Sequence, residues 1–197
     1  MGGGISPSGD ALASILQRTK VLLREAELDP YEAEALWACA EELCRHVREA
    51  PGDSAVWAAA QRILRRFADD SGNDVGRALG ARLRLGEICA GAGRTREAED
   101  YFIGVRRLGR TLTNEERAAL GSVFDEAMQT AMYAVVGLYD TAYDAGRPGL
   151  QRLLAKAAGD AELTDLVRAR LGELDEYVNR VLDGYAMEFL SDDTLEF

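Results

Sequence analysis

The sequence predicts an all-α protein of about eight helices arranged in antiparallel hairpins. Three observations predict it. Ala, Leu, Arg and Glu dominate the 197 residues, β-branched residues are sparse and only 4 prolines occur, a mix that favours helix nearly everywhere. Apolar residues recur three and four apart in successive segments, the mark of one buried helical face. Capping signals fall between those segments, and no stretch alternates apolar with polar as a strand does.

The segments follow in order. Asp10 caps a first helix with Leu12, Ile15, Leu16, Leu22 and Leu23 as its stripe. "DPYE" sets Asp29 as N-cap, Pro30 at the first helical position and Glu32 three residues after the cap, a capping box. The helix it opens runs through Leu36, Trp37, Ala40, Leu43, Cys44 and Val47 until "APGD" stops it near Pro51. Asp53 or Ser54 starts the next, with Val56, Trp57, Ala60, Ile63, Leu64 and Phe67 at helical spacing. After "DDSGND" come two helices separated by "AGAGRT", with Thr95 as a cap. Thr113 and Glu116 form a second capping box opening a long pattern from Asn114 to Ala145, with bends expected at Gly121 or Gly137. "AGRPG" at 145–149 reads as a break, a short helix follows to Ala158, and a last helix ends near Leu190. Its stripe is Leu163, Leu166, Val167, Leu171, Leu174, Val178, Val181 and Leu182. The predicted organisation is a flexible leader at 1–9, one helical domain at 10–190 and an acidic tail at 191–197.

The net charge of −11 is unevenly spread. Residues 1–44 sum to −5, residues 45–110 to +4 and residues 111–197 to −10. All 13 cations of the middle segment are arginines. A guanidinium makes planar, forked contacts with carboxylates that an ammonium does not. Solvated faces paired with internal acids are one reading of these arginines; a face for an acidic partner segment is the other. A pI near 4.7 argues against duplex nucleic acid as the ligand.

"RLRLGEICAGAGRTREAEDYFIGVRRLGR", residues 82–110, carries a family resemblance. Leu85-Gly86 stand on a first helix, Gly93 in the turn, Ala98 early in the second helix and Phe102 four residues on. In this pattern segment 79–112 resembles a tetratricopeptide repeat, a 34-residue helix–turn–helix unit. It departs from the repeat at Arg82, Cys89 and Arg110, where two large aromatics and a closing proline are expected, and no second copy follows at a 34-residue step. The resemblance implies a right-handed superhelical stack, with a compact helical bundle as the alternative. It also implies a scaffold whose first helices line a groove for a peptide or helix, pointing to Arg77, Arg82, Arg84 and Glu87. The carboxylate clamp of some relatives is not implied, because Leu83 and Glu87 stand where its Lys and Asn belong. Arg106 and Arg107, on the second helix, belong to the groove or to the convex surface.

Chemistry-bearing patterns are few. His46 is the only histidine; Cys39, Cys44 and Cys89 form no C-x-x-C pair, and no phosphate-binding glycine loop occurs. The expectation is therefore a non-enzymatic, cytoplasmic protein with no metal and no cofactor, its thiols reduced. Trp37 and Trp57 are expected to meet in the core. Tyr139 and Tyr143 share a helix face from which Tyr133 is displaced. Met1, Gly2 and Ser6 fit the M-G-x-x-x-[ST] acylation pattern.

The expected function is that of an adaptor or chaperone-like scaffold holding an acidic peptide or helix of another protein. The alternatives are a membrane-associated effector-like protein acylated at Gly2, a small-molecule-binding bundle, and a homo-oligomer.

Overall fold

The computed structural model describes residues 9–25, 27–50, 52–69, 74–140 and 143–191, with backbone alone at 9, 143–145 and 184–191. Among these the chain is all-α, with nine helices and no strand: α1 (Gly9–Leu22), α2 (Pro30–Glu49), α3 (Ser54–Asp69), α4 (Val75–Gly91), α5 (Thr95–Thr111), α6 (Asn114–Leu120), α7 (Ser122–Gly137), α8 (Tyr143–Lys156) and α9 (Ala161–Ser191). Gly2 and residues 192–197 of the tail lie outside the described residues.

Both capping boxes form. Asp29 accepts from the Glu32 amide while Glu32 accepts from the Asp29 amide, and Thr113 and Glu116 repeat the pattern. Each satisfies donors that a helix N-terminus otherwise leaves open. Asp53 Oδ1 accepts from the amides of Ala55 and Val56 at the head of α3. Several expected boundaries shift. Gly9 already belongs to α1, so Asp10 is not its cap, and Ser191 still belongs to α9. Thr95 is the first residue of α5 rather than its cap, and Arg94 precedes it without a side-chain capping bond. The long helix expected over 114–145 is interrupted at Gly121, where φ is +55°, and its continuation α7 ends at Gly137. Only glycine adopts that backbone without strain.

"AGRPG" is not a break but part of α8, with Pro148 inside the helix. Pro148 is exposed and forgoes one backbone bond. The opposite side of the turn compensates: Gly149 lies directly on the Tyr139 ring, where any Cβ would collide, and Leu150 and Leu153 are fully buried.

The chain divides into two compact units, residues 1–128 and 129–197. In the first, α2–α3 and α4–α5 are successive antiparallel hairpins. Trp37 meets Phe67, and Arg82 reaches both Ala68 on α3 and Gly104 on α5. Contacts from Glu34 to Arg77 and from Arg48 to Glu87 run α2 and α4 side by side in the same direction. α1 packs on α2 and α3. Leu36, Leu43, Ile63, Leu64 and Leu85 are buried to within 1% of complete, and each such side chain contributes about 1.5–3 kcal/mol by leaving water.

The residues that carry the repeat resemblance pack as their sizes require. Leu85, Gly86, Ala98 and Phe102 are all buried, and a Cβ on Gly86 would stand 2.5 Å from the Phe102 ring. Gly93 has φ +71° at the turn. Trp37 and Trp57 find separate partners: Trp37 sits edge-on to Phe67 at 5.3 Å between centroids, while Arg94 covers Trp57 at 4.2 Å.

In the second unit α8 and α9 form an antiparallel hairpin through Gly159, at φ +85°. Asp160 caps α9 by accepting from the Leu163 amide, Thr164 Oγ1 donates to the Ala157 carbonyl, and Arg147 forks onto Asp175. The α9 stripe is buried only at its start. Leu163 and Val167 are enclosed, whereas Val181 and Leu182, expected in the core, are exposed. Tyr139 is buried, Tyr133 is exposed, and the Tyr143 side chain lies outside the described set.

Candidate functional site

The six residues expected to line a groove do not share one face. Arg77, at the head of α4, bridges Glu34 of α2 and Asp74, and its guanidinium lies 5.9 Å from the Phe67 ring centroid. Arg84 donates to Glu87 at 2.9 Å, and Arg48 of α2 approaches the same carboxylate at 3.7 Å. Burial works against the charge on Arg84, but the Glu87 hydrogen bond and charge outweigh it and raise its pKa above the ordinary arginine value. These contacts run along the α2–α4 side.

Arg82 instead turns inward. It donates to the Ala68 carbonyl at 2.9 Å, satisfying one of the acceptors that the last turn of α3 leaves open. Arg106 is enclosed and donates to the Met128 carbonyl at 3.3 Å. Arg107, one position on, is exposed and has no hydrogen bond or ion pair among the described residues. The arginine-rich middle segment is thus largely tied to this protein's own carboxylates and carbonyls.

Two concavities among the described residues bear on function. The first, about 180 Å³, opens beside the α2–α4 side and is lined by Val47, Arg48, Trp57, Glu87, Ile88 and Gly91. Its floor is apolar and its rim carries one cation and one anion. The Trp57 Nε1 donor is buried beside it with no acceptor. Of the expected residues, Glu87 alone lines this cleft.

The second, about 690 Å³, lies between the end of α1 and the middle of α3, and sequence reasoning missed it. Among the described residues its lining is Lys20, Leu23, Arg24, Arg62 and Arg66, four cations and no acid. Arg66 donates to the Leu22 carbonyl at 3.3 Å, closing the C-terminus of α1. Lys20, Arg24 and Arg62 have exposed side chains and no side-chain partner among the described residues. A signal existed in the sequence: Lys20/Arg24 and Arg62/Arg66 are like charges four residues apart, a spacing that destabilises a helix unless something opposes it. Only the fold shows that the two pairs face one hollow.

The cysteines carry no visible chemistry. Cys39, Cys44 and Cys89 are free and buried. Burial above all pushes the Cys44 and Cys89 thiols from 9.0 to about 11, so both are protonated at neutral pH. His46 sits half-buried on α2, its Nε2 enclosed without a partner. No group of three or more His, Cys, Asp or Glu among the described residues is placed to hold a metal, and none of their helices is long and apolar enough to cross a membrane.

Comparison with known proteins finds no matching family model, no matching curated protein and no matching solved structure.

Proposed function

We propose that this chain is a protein-interaction scaffold, an adaptor or chaperone-like protein that holds a segment of a partner along the α2–α4 side of its first unit. One observation carries the reading: the apolar cleft at Trp57. Its volume suits one or two side chains rather than a cofactor, well below the ~300–1,000 Å³ of ordinary ligand pockets. An aromatic floor beneath a charged rim is the arrangement of an interface anchor, where one enclosed side chain supplies most of the affinity. The Glu34–Arg77 and Arg84–Glu87–Arg48 contacts flank it with fixed charges of both signs. The two-hairpin stack, together with the repeat resemblance of segment 79–112, supports a groove on this side.

The test is a variant that fills the cleft. Gly91 lines it, and a Cβ there meets nothing within 4 Å, so Gly91→Phe occupies the space without straining the helix. Affinity capture from the native cell lysate with wild-type and Gly91→Phe baits of equal helix content should lose a defined partner in the variant. The same partners on both baits, or none on either, contradicts the reading.

A further inference from the structure

The second hollow of the first unit has a charge pattern found at no other concavity described above, and the scaffold reading does not use it. Several cations elsewhere in the described residues meet carboxylates: Arg45 with Glu42, Arg77 with Glu34 and Asp74, Arg84 with Glu87, Arg94 with Glu97, Arg147 with Asp175, and Arg168 with Asp165; others, such as Arg107, stand singly on the surface. The α1–α3 hollow gathers Lys20, Arg24 and Arg62, none with a side-chain partner, beside Arg66, with no acid among the described residues that line it.

Local structure explains part of this. Lys20 and Arg24 stand at the C-terminus of α1, where the helix dipole favours cations. Arg66 closes that same terminus through the Leu22 carbonyl. Neither reason reaches Arg62. It lies in the middle of α3, one turn before Arg66 and three residues before Arg65, with no carboxylate to relieve the repulsion.

We infer that the α1–α3 hollow binds an acidic peptide segment of a partner protein, with Lys20, Arg24 and Arg62 each taking a carboxylate and Leu23 receiving an apolar side chain between them. This deepens the scaffold reading and rests on it for the class of occupant. The chemistry of the site argues for a peptide over a compact phosphate. The cations are divided between two helices across about 690 Å³, the size of a several-residue occupant, so they address separate acceptors rather than converging on one. Guanidinium forks fit carboxylates bidentately, and Leu23 with the arginine stems offers apolar surface that an inorganic anion leaves unused. The surrounding protein is acidic, which discourages a nucleic acid chain from approaching and leaves the hollow as a local attractor for a short acidic segment.

The experiment is a titration of the full chain with a fluorescein-labelled peptide of glutamates around one leucine, alongside its glutamine counterpart. The glutamate peptide should bind, the glutamine peptide should not, and raising NaCl from about 50 to about 300 mM should weaken binding by screening. Lys20→Glu/Arg62→Glu changes two exposed, unpartnered side chains and keeps the native helix content; it should weaken binding at least about tenfold, because like charges then face each other. Equal binding of both peptides, or unchanged affinity in the reversed variant, overturns the inference. So does binding of tripolyphosphate with none of the glutamate peptide. The outcome separates from the scaffold reading: Gly91→Phe should leave this titration unchanged. A failed titration beside a partner still lost in Gly91→Phe removes the acidic-segment site alone. A successful titration with no lysate partner for either bait removes the scaffold reading alone.

Discussion

Two groups of cations in the first unit look alike in sequence and differ in the fold. Arg77, Arg82, Arg84 and Arg106, on α4 and α5, are held by Glu34, Asp74, Glu87 and the carbonyls of Ala68, Gly104 and Met128. Lys20, Arg24 and Arg62, on and just beyond α1 and on α3, have no such side-chain partners among the described residues. The first group lies at helix–helix seams, where a long side chain reaches the carboxylates and backbone carbonyls of its own and neighbouring helices. The second lies where one helix ends beside the middle of another, and no acid among the described residues lines the hollow between them. Abundance of arginine therefore says little about a binding face. What counts is whether the neighbouring helices supply acceptors.

The largest effect expected from this contrast is at Arg106. Arg106→Ala removes an enclosed charged donor and the packing of its stem, and should lower the unfolding free energy by about 2–3 kcal/mol. Arg107→Ala, at the exposed neighbour, should change it by less than about 0.5 kcal/mol. Urea denaturation of the two variants checks both, and equal values would erase the distinction between held and unpartnered arginines. Arg82→Ala comes next. Losing the bonds to the Ala68 and Gly104 carbonyls should cost about 1–2 kcal/mol in the same measurement.

The thiols test how closed the seams are. Cys44 and Cys89 have pKa values raised from 9.0 to about 11 by burial, so the folded state disfavours the thiolate. Their contribution to stability is complete below pH 9 and is lost as pH climbs towards 11. Melting temperature should fall over that interval, and Cys44→Ala/Cys89→Ala should flatten the fall. Ellman's reagent at neutral pH should react with the thiols only after denaturation.

The smallest effect has the opposite sign. Arg62→Ala relieves a like-charge pair on α3 and should stabilise the fold by about 0.2–0.5 kcal/mol at low salt, a gain that salt abolishes. A loss of stability would mean that Arg62 is structural after all.

Much of the fold was legible because its signals are local. Asp29–Pro30–Glu32 and Thr113–Glu116 each cap within four residues, and the small–large match of Gly86 with Phe102 lies within one hairpin. Pro148 misled because its exposure, and the seat of Gly149 on Tyr139, depend on which side of α8 is buried. Val181 and Leu182 misled because helical spacing marks an apolar stripe without saying how far a neighbour extends along it. The candidate site was less legible for the same reason. Glu87 lines the Trp57 cleft, but Arg82 lies on the same helix and turns towards α3 and α5. The α1–α3 hollow joins residues about forty apart in sequence, and only tertiary packing brings them together.

The central claim, that the unpartnered cations bind and the held ones support the fold, is tested most directly by one paired measurement. Lys20→Glu/Arg62→Glu and Arg82→Glu/Arg84→Glu would each be assayed for urea stability and for affinity towards the glutamate–leucine peptide. The account predicts that the first variant loses the peptide and keeps its stability, while the second loses stability and, where folded, binds the peptide as wild type does. The reverse assignment, with affinity lost in the Arg82/Arg84 variant and retained in the Lys20/Arg62 variant, would contradict it.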